Sequence, residues 1–140
     1  MTGWPISSRP TANDVGWLSF SKDGGLHWSA AIQAPSDQLD VPHIMEVGGG
    51  DSGIAYVTWL ANSDSRGYAP YMRTFSITRG WLSAPFQVST QFGDPSVWPG
   101  DMTGLSTLGA NQVSLSWGSA VDAKNKNSEI YSATVSVQLR

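Results

Sequence analysis

The chain has 140 residues, 40% of them apolar, and a formal net charge of −3. That length buries a single core, and the lack of clustered lysine and arginine excludes a nucleic-acid binder that works by neutralising phosphates. With no cysteine there are no disulfides or thiolate metal sites, and no apolar run reaches the length of a membrane span.

Fifteen glycines, eight prolines, seven tryptophans and only 14% charged residues suit short strands joined by tight turns, not helices. Met1 to Asp14 is polar and turn-rich around Trp4-Pro5-Ile6 and has room for one short strand at most. Met1 to Pro10 lacks the basic-then-apolar order of a secretory signal, so an exported parent, extracellular or periplasmic, would carry its signal elsewhere. Val15 to Ser21 and Trp28 to Ala34 then read as two strands around a tight turn, Ser21-Lys22-Asp23-Gly24-Gly25-Leu26-His27-Trp28. In that turn Ser21 and Asp23 are placed to bond amides, Gly24 and Gly25 tolerate positive φ, and Trp28 folds back as an apolar plug.

After a Pro35-Ser36-Asp37 loop come an apolar run at His43 to Val47, a glycine-rich turn at Gly48 to Gly53, and a strand at Ile54 to Leu60. A loop at Asn62 to Gly67 leads to a strand from Tyr68 to Ile77, a turn at Thr78-Arg79-Gly80, and a strand from Trp81 to Val88. Thr90 to Gly100 is a loop carrying Trp98. Met102 to Leu108, Val113 to Trp117 and Ile130 to Leu139 complete the strands, with a polar loop at Asp122 to Ser128.

These segments superpose on one another. Val41 to Trp59 falls on Pro99 to Trp117 without a gap, matching Ala55, Val57 and Trp59 with Val113, Leu115 and Trp117. Likewise Tyr71, Thr74, Ser76 and Ile77 fall on Tyr131, Thr134, Ser136 and Val137, and Phe20, Ser21 and Trp28 on Phe75, Ser76 and Trp81. A four-stranded repeat of this length without a helix reads as a β-propeller blade. The chain then divides into a partial blade over 1–39, a complete blade over 40–90 and a partial blade over 91–140, roughly two and a half blades within one propeller segment. Too few blades are present to close a ring. The expectation is therefore a fragment of a larger propeller or a homo-oligomer, with Gly3-Trp4 placed to supply the strand that Gly80-Trp81 supplies in the complete blade.

Ser21, Asp23, Gly25 and Trp28 have the spacing of the Asp-box, with His27 where threonine is usual. Together with Asp40 to Trp59 and its echo Pro99 to Trp117, they make the chain resemble the Asp-box (BNR) repeat proteins of the sialidase-like β-propeller superfamily. The resemblance implies an all-β fold of four-stranded antiparallel blades, a six- or seven-bladed ring when complete, and any site on the axial face. It also implies a mixed set of functions, from sialidases to lectin-like binders.

A sialidase of this kind needs three arginines on the substrate carboxylate, a tyrosine nucleophile paired with a glutamate, and an aspartate acid/base. Arg9, Arg66, Arg73, Arg79 and Arg140 are scattered, and Tyr131 shares its repeat position with Tyr71, which marks both as blade aromatics. No complete catalytic set is expected. The candidates for binding are His43 and Asp101, a titratable pair at equivalent starts of their units, and Trp98, an aromatic platform beside Asp94 and Asp101. Arg66 and Tyr68 join them from the loop between the second and third strands, within reach of the axis. Asp51-Ser52-Gly53 and Asp122 to Asn127 lack the spacing of a calcium loop, so no metal and no cofactor are expected. The expected role is a non-catalytic module that binds a carbohydrate or protein and assembles with further blades or a second copy. The alternatives are part of an exo-sialidase-like glycoside hydrolase completed elsewhere, and a self-assembling structural fragment without a ligand.

Overall fold

A computed structural model of the chain describes residues 16–34, 41–63, 66–109, 111–121 and 127–138. Trp4, Arg9, Arg140 and most of the Asp122 to Asn127 loop lie outside them. The described strands are β1 (Trp17–Leu18), β2 (Ile32–Gln33), β3 (Val41–Gly49), β4 (Ile54–Ser63), β5 (Gly67–Ser76), β6 (Gly80–Trp81), β7 (Phe86–Gln87), β8 (Thr103–Thr107), β9 (Gln112–Ser119) and β10 (Glu129–Ser136). All pair antiparallel, and the described residues contain no α-helix, so the fold is all-β as composition demands.

Three sheets follow one another along the chain: β1-β2, then β3-β4-β5-β6 with β7 also on β5, then β8-β9-β10. The central sheet is covered on both faces. Tyr56, Leu60, Tyr68 and Met72 pack against Val113, Leu115 and Trp117 of the third sheet. Val57 and Phe75, from the opposite face, pack with Leu18 and with Phe20 and Ile32 of the hairpin side. β4 and β5 are accordingly buried almost throughout, the signature of strands sandwiched between layers. β3 runs against β8, and Gly48 is what lets it do so. A Cβ there would meet Leu105 Cδ2 at 2.9 Å.

The two larger sheets carry the same cross-strand aromatic pair. Trp59 lies opposite Tyr71 in the β4–β5 ladder and stacks on it at 5.9 Å; Trp117 lies opposite Tyr131 in the β9–β10 ladder and stacks at 6.3 Å. Both tryptophans are buried, as their alternation with Val57 and Leu115 predicts.

Two strand expectations need correction. The run Trp81 to Val88 is not one strand but two short ones, β6 and β7, both on the edge of β5. Pro85 has no amide to donate, and Ser83 takes over with its side chain, its Oγ accepting from Thr74 N while its carbonyl accepts from Arg73 Nε. The hairpin strands around Ser21 to Trp28 also shrink, to the two-residue pairs β1 and β2. Toward the turn one backbone bond remains among the described residues, Ser29 N donating to Phe20 O at 2.8 Å, and side chains complete the link: Ser19 Oγ donates to Ser29 O and Ser29 Oγ accepts from Phe20 N.

Candidate functional site

His43 owes its position to its successor in β3. The ladder pairs His43 with Leu60 and then Met45 with Trp59, which leaves Ile44 as the extra residue of a β-bulge. Ile44 sits at φ +36, a region that costs a β-branched residue about 1–3 kcal/mol. The bulge resets parity. His43 shares a face with Leu60, and Glu46, paired with Thr58, returns to that same face, where its Oε1 accepts from Thr103 Oγ1 at 2.5 Å and ties β3 to β8. Met45 is turned to the opposite face, against the hairpin side.

The loop from Thr90 to Gly100 is pinned at three places. Tyr68 and Gly93 exchange backbone hydrogen bonds at 3.1 and 2.8 Å, and Asp94 N donates to Ala120 O at 2.9 Å. Pro99, buried, receives a hydrogen bond from Ser128 Oγ on its carbonyl. The first pin requires glycine. Gly67 has φ +95, and a Cβ on it would stand 1.8 Å from Gly93 O. Asp94 turns its carboxylate into the loop, Oδ1 accepting from both Ser96 N and Ser96 Oγ.

So held, the loop carries Trp98 against His43 and Tyr68. The three rings meet edge to face, His43–Tyr68 and His43–Trp98 at 5.5 Å and Tyr68–Trp98 at 5.9 Å between centroids. His43 and Tyr68 are buried, whereas Trp98 remains 47% exposed. Beside them Arg66 lies over the Phe92 ring at 5.1 Å, next to the Gly93 bridge. Asn62, directly across the ladder from Tyr68, has a buried Oδ1 without a hydrogen-bond partner among the described residues.

This cluster is a platform and not a pocket. A half-exposed indole offers π face and apolar area, backed by the buried rings of His43 and Tyr68, and the exposed Arg66 lies two residues before Tyr68. The cavity between the second and third sheets, lined by residues including Ile44, Leu60, Pro70 and Trp117, holds about 20 Å³, room for one water and not for a ligand.

The structure thus brings together three of the five residues singled out in the sequence, His43, Tyr68 and Trp98, while Arg66 stacks on Phe92, the neighbour of the Gly93 that bridges to Tyr68. Asp101 is not among them. It is exposed on the turn into β8, beyond the positive-φ Gly100, and makes no hydrogen bond or ion pair among the described residues. His43 and Asp101 are therefore not a coupled pair, because the bulged β3 begins earlier than β8 and buries its histidine. Sequence reasoning missed Ile44, Asn62, Phe92 and the Gly67–Gly93 contact. Only the glycines left a signal, and a glycine does not name the residue it approaches.

The turn from Ser21 to Trp28 is a self-contained hydrogen-bonded unit. Ser21 Oγ donates to Asp23 Oδ1 at 2.8 Å and accepts from Gly25 N at 2.8 Å; Asp23 Oδ1 accepts from His27 N at 2.9 Å, and Oδ2 meets His27 Nδ1 at 2.6 Å. Gly24 and Gly25 have φ +72 and +93, as the turn needs. Trp28 folds back so that Nε1 donates to Gly25 O at 3.0 Å, yet it stays 64% exposed. It clasps the turn and does not plug it.

Elsewhere, Tyr131 OH donates to Glu129 Oε2 at 3.3 Å, while Tyr71 OH donates to Gln87 Oε1 at 3.4 Å. Arg73 lies over Trp81 at 4.4 Å and Arg79 is in the turn before β6, so the described arginines have separate surroundings. No group of three or more metal-ligating side chains occurs among the described residues, and none of their helices is long and apolar enough to cross a membrane. No protein-family model, curated protein or solved structure matches the chain.

The amide of His27, then its ring and then the Ser21 hydroxyl hold the Asp23 carboxyl below its ordinary value of 3.8. The carboxylate's support of the turn is complete above that ordinary value and is lost as pH falls through the lower folded one. A carboxyl-carbon NMR titration of Asp23 is expected to give a midpoint below 3.8; a midpoint at or above it would show that these bonds do not favour the ionised form.

Proposed function

We propose that the chain is a sialidase-like Asp-box propeller segment acting as a non-catalytic carbohydrate-binding module, with Trp98, His43 and Tyr68 as its sugar platform and Arg66 at its margin. The observation that carries this reading is the edge-to-face ring cluster with one half-exposed indole, held by a loop pinned on both sides. A pyranose presents an apolar C–H face to such an indole and hydroxyls to the groups around it. The blade reading is supported by the meander β3-β4-β5-β6, by β3 against β8, and by the Trp–Tyr pair repeated in both sheets. The Asp-box reading is supported by the Ser21 and Asp23 hydrogen bonds across the turn.

Assembly belongs to the same proposal. Further blades of a longer chain or a second copy meet this one, and β10, whose outer edge has no partner strand among the described residues, favours contact strand to strand. The Tyr131–Glu129 hydrogen bond favours a second reading, a glycoside hydrolase of sialidase type completed by other blades. Cleavage of a fluorogenic sialoside by the purified chain would establish that reading.

For the main reading the test is a glycan array probed with the wild type and with Trp98→Ala. Binding to a defined set of glycans is expected, with affinity falling at least about tenfold in the variant. A blank array, or binding that Trp98→Ala leaves unchanged, rejects the platform.

A further inference from the structure

The third sheet differs from the second in one respect that bears on what can pack against it. Along β10 from Ile130, and over 112–117 of β9, burial alternates residue by residue, the outward positions being more exposed than the inward ones, whereas β4 and β5 are buried on both faces; at the end of β9 Gly118 is buried as well, close under the Pro99 carbonyl of the connecting loop. The inward face holds Val113, Leu115, Trp117, Tyr131, Ala133 and Val135. The outward face holds Ser106, Ser114, Ser116, Ser132, Thr134 and Ser136, with Gly104 and Gly118 between them and Ile130 as its one large apolar side chain.

The repeated Trp–Tyr pairs set the two sheets in register, so these positions have counterparts. Ser114 stands where the second sheet has Tyr56, Gly118 where it has Leu60, and Ser132 where it has Met72. In the second sheet those three side chains are almost wholly buried and form the contact with the next sheet. In the third, hydroxyls and a hydrogen replace them. The polarity is written in the sequence, so the exposure of this face does not arise from a missing neighbour.

We infer that the β8-β9-β10 sheet is the terminal sheet of the stack: its outer face is made to stay in water and receives no further sheet, whether from this chain or from a second copy. Burying that face would strip water from a field of hydroxyls and return little apolar contact, because the large side chains that fill the space between the second and third sheets have no equivalent here. A polar outer face is how a stacked-repeat protein ends. The inference restricts the assembly part of the proposed function: a closed ring would need a blade on this face, so the blades form an open stack at this end and any partner there meets the edge of β10 and not its face. It is independent of the carbohydrate part.

The chain has no cysteine, so a single introduced thiol reports on one place. Ser132→Cys and Ser114→Cys are near-isosteric; Val113→Cys, on the buried face of the same sheet, is the internal control. Maleimide labelling of each native variant is followed by mass spectrometry from dilute to concentrated protein. Both serine positions are expected to label within about tenfold of an unstructured thiol peptide at every concentration, and Val113→Cys at least about a thousandfold slower, limited by rare opening. Slow labelling at either serine position that denaturant or dilution relieves would overturn the inference. The readout does not involve glycan binding, so failure of the platform and failure of the terminal sheet are separately visible.

Discussion

The β3–β6 sheet must be covered on both faces at once, and the rest of the molecule depends on how that is done. Tyr56, Leu60 and Met72 look one way and Val57 and Phe75 the other, so neither face can be left to water. The third sheet covers the first face and the β1–β2 hairpin lies on the second. The hairpin has almost no ladder of its own. Its integrity rests on the Ser19–Ser29 exchange and on the turn that Ser21 and Asp23 hold together.

Stacking the third sheet on the second obliges the chain to cross from β7 to β8 over the ends of β5 and β9. That crossing is the Thr90 to Gly100 loop, and its pins to Tyr68, Ala120 and Ser128 are the means by which a long connection satisfies its backbone. The ring cluster is a by-product of the crossing. Trp98 is delivered to the mouth of the sheet, where the bulge at Ile44 has already set His43 beside Tyr68. Strain at Ile44 and an Asn62 Oδ1 without a partner among the described residues lie on the same side of the sheet as this cluster.

Much of this is legible in the sequence, for identifiable reasons. Period-two alternation reveals the inner residues of β4 and β9, and glycine pairs reveal the turn at Gly24-Gly25, because both effects are local. The internal repeat points to Trp59–Tyr71 and Trp117–Tyr131 because equivalent strands must make equivalent pairs. His43, Tyr68, Trp98 and Arg66 stand out by residue type and loop position. Their convergence does not, since it depends on a bulge that no residue signals: Ile44 is a poor choice for positive φ, and a sequence argument would place it in a regular strand. Asp101 misleads for the opposite reason. The repeat aligns it with His43, but alignment fixes strand position and says nothing of burial. The edge strand after Gly80 breaks at Pro85 because a proline lacks a donor, a consequence that is legible once the partner strand is known.

The central claim, that the rings of His43, Tyr68 and Trp98 form one ready-made sugar platform, is tested most directly by the imidazole proton resonances. The chain has two histidines, His43 in the cluster and His27 in the exposed turn, so the control is built in. Methyl glycosides of glucose, galactose and N-acetylglucosamine are each titrated in at millimolar concentration. A ready-made platform predicts a saturable shift of the His43 ring protons with at least one of them, together with Trp98 indole signals, while His27 stays still. Shifts confined to His27, or a Trp98 response without His43, would contradict it.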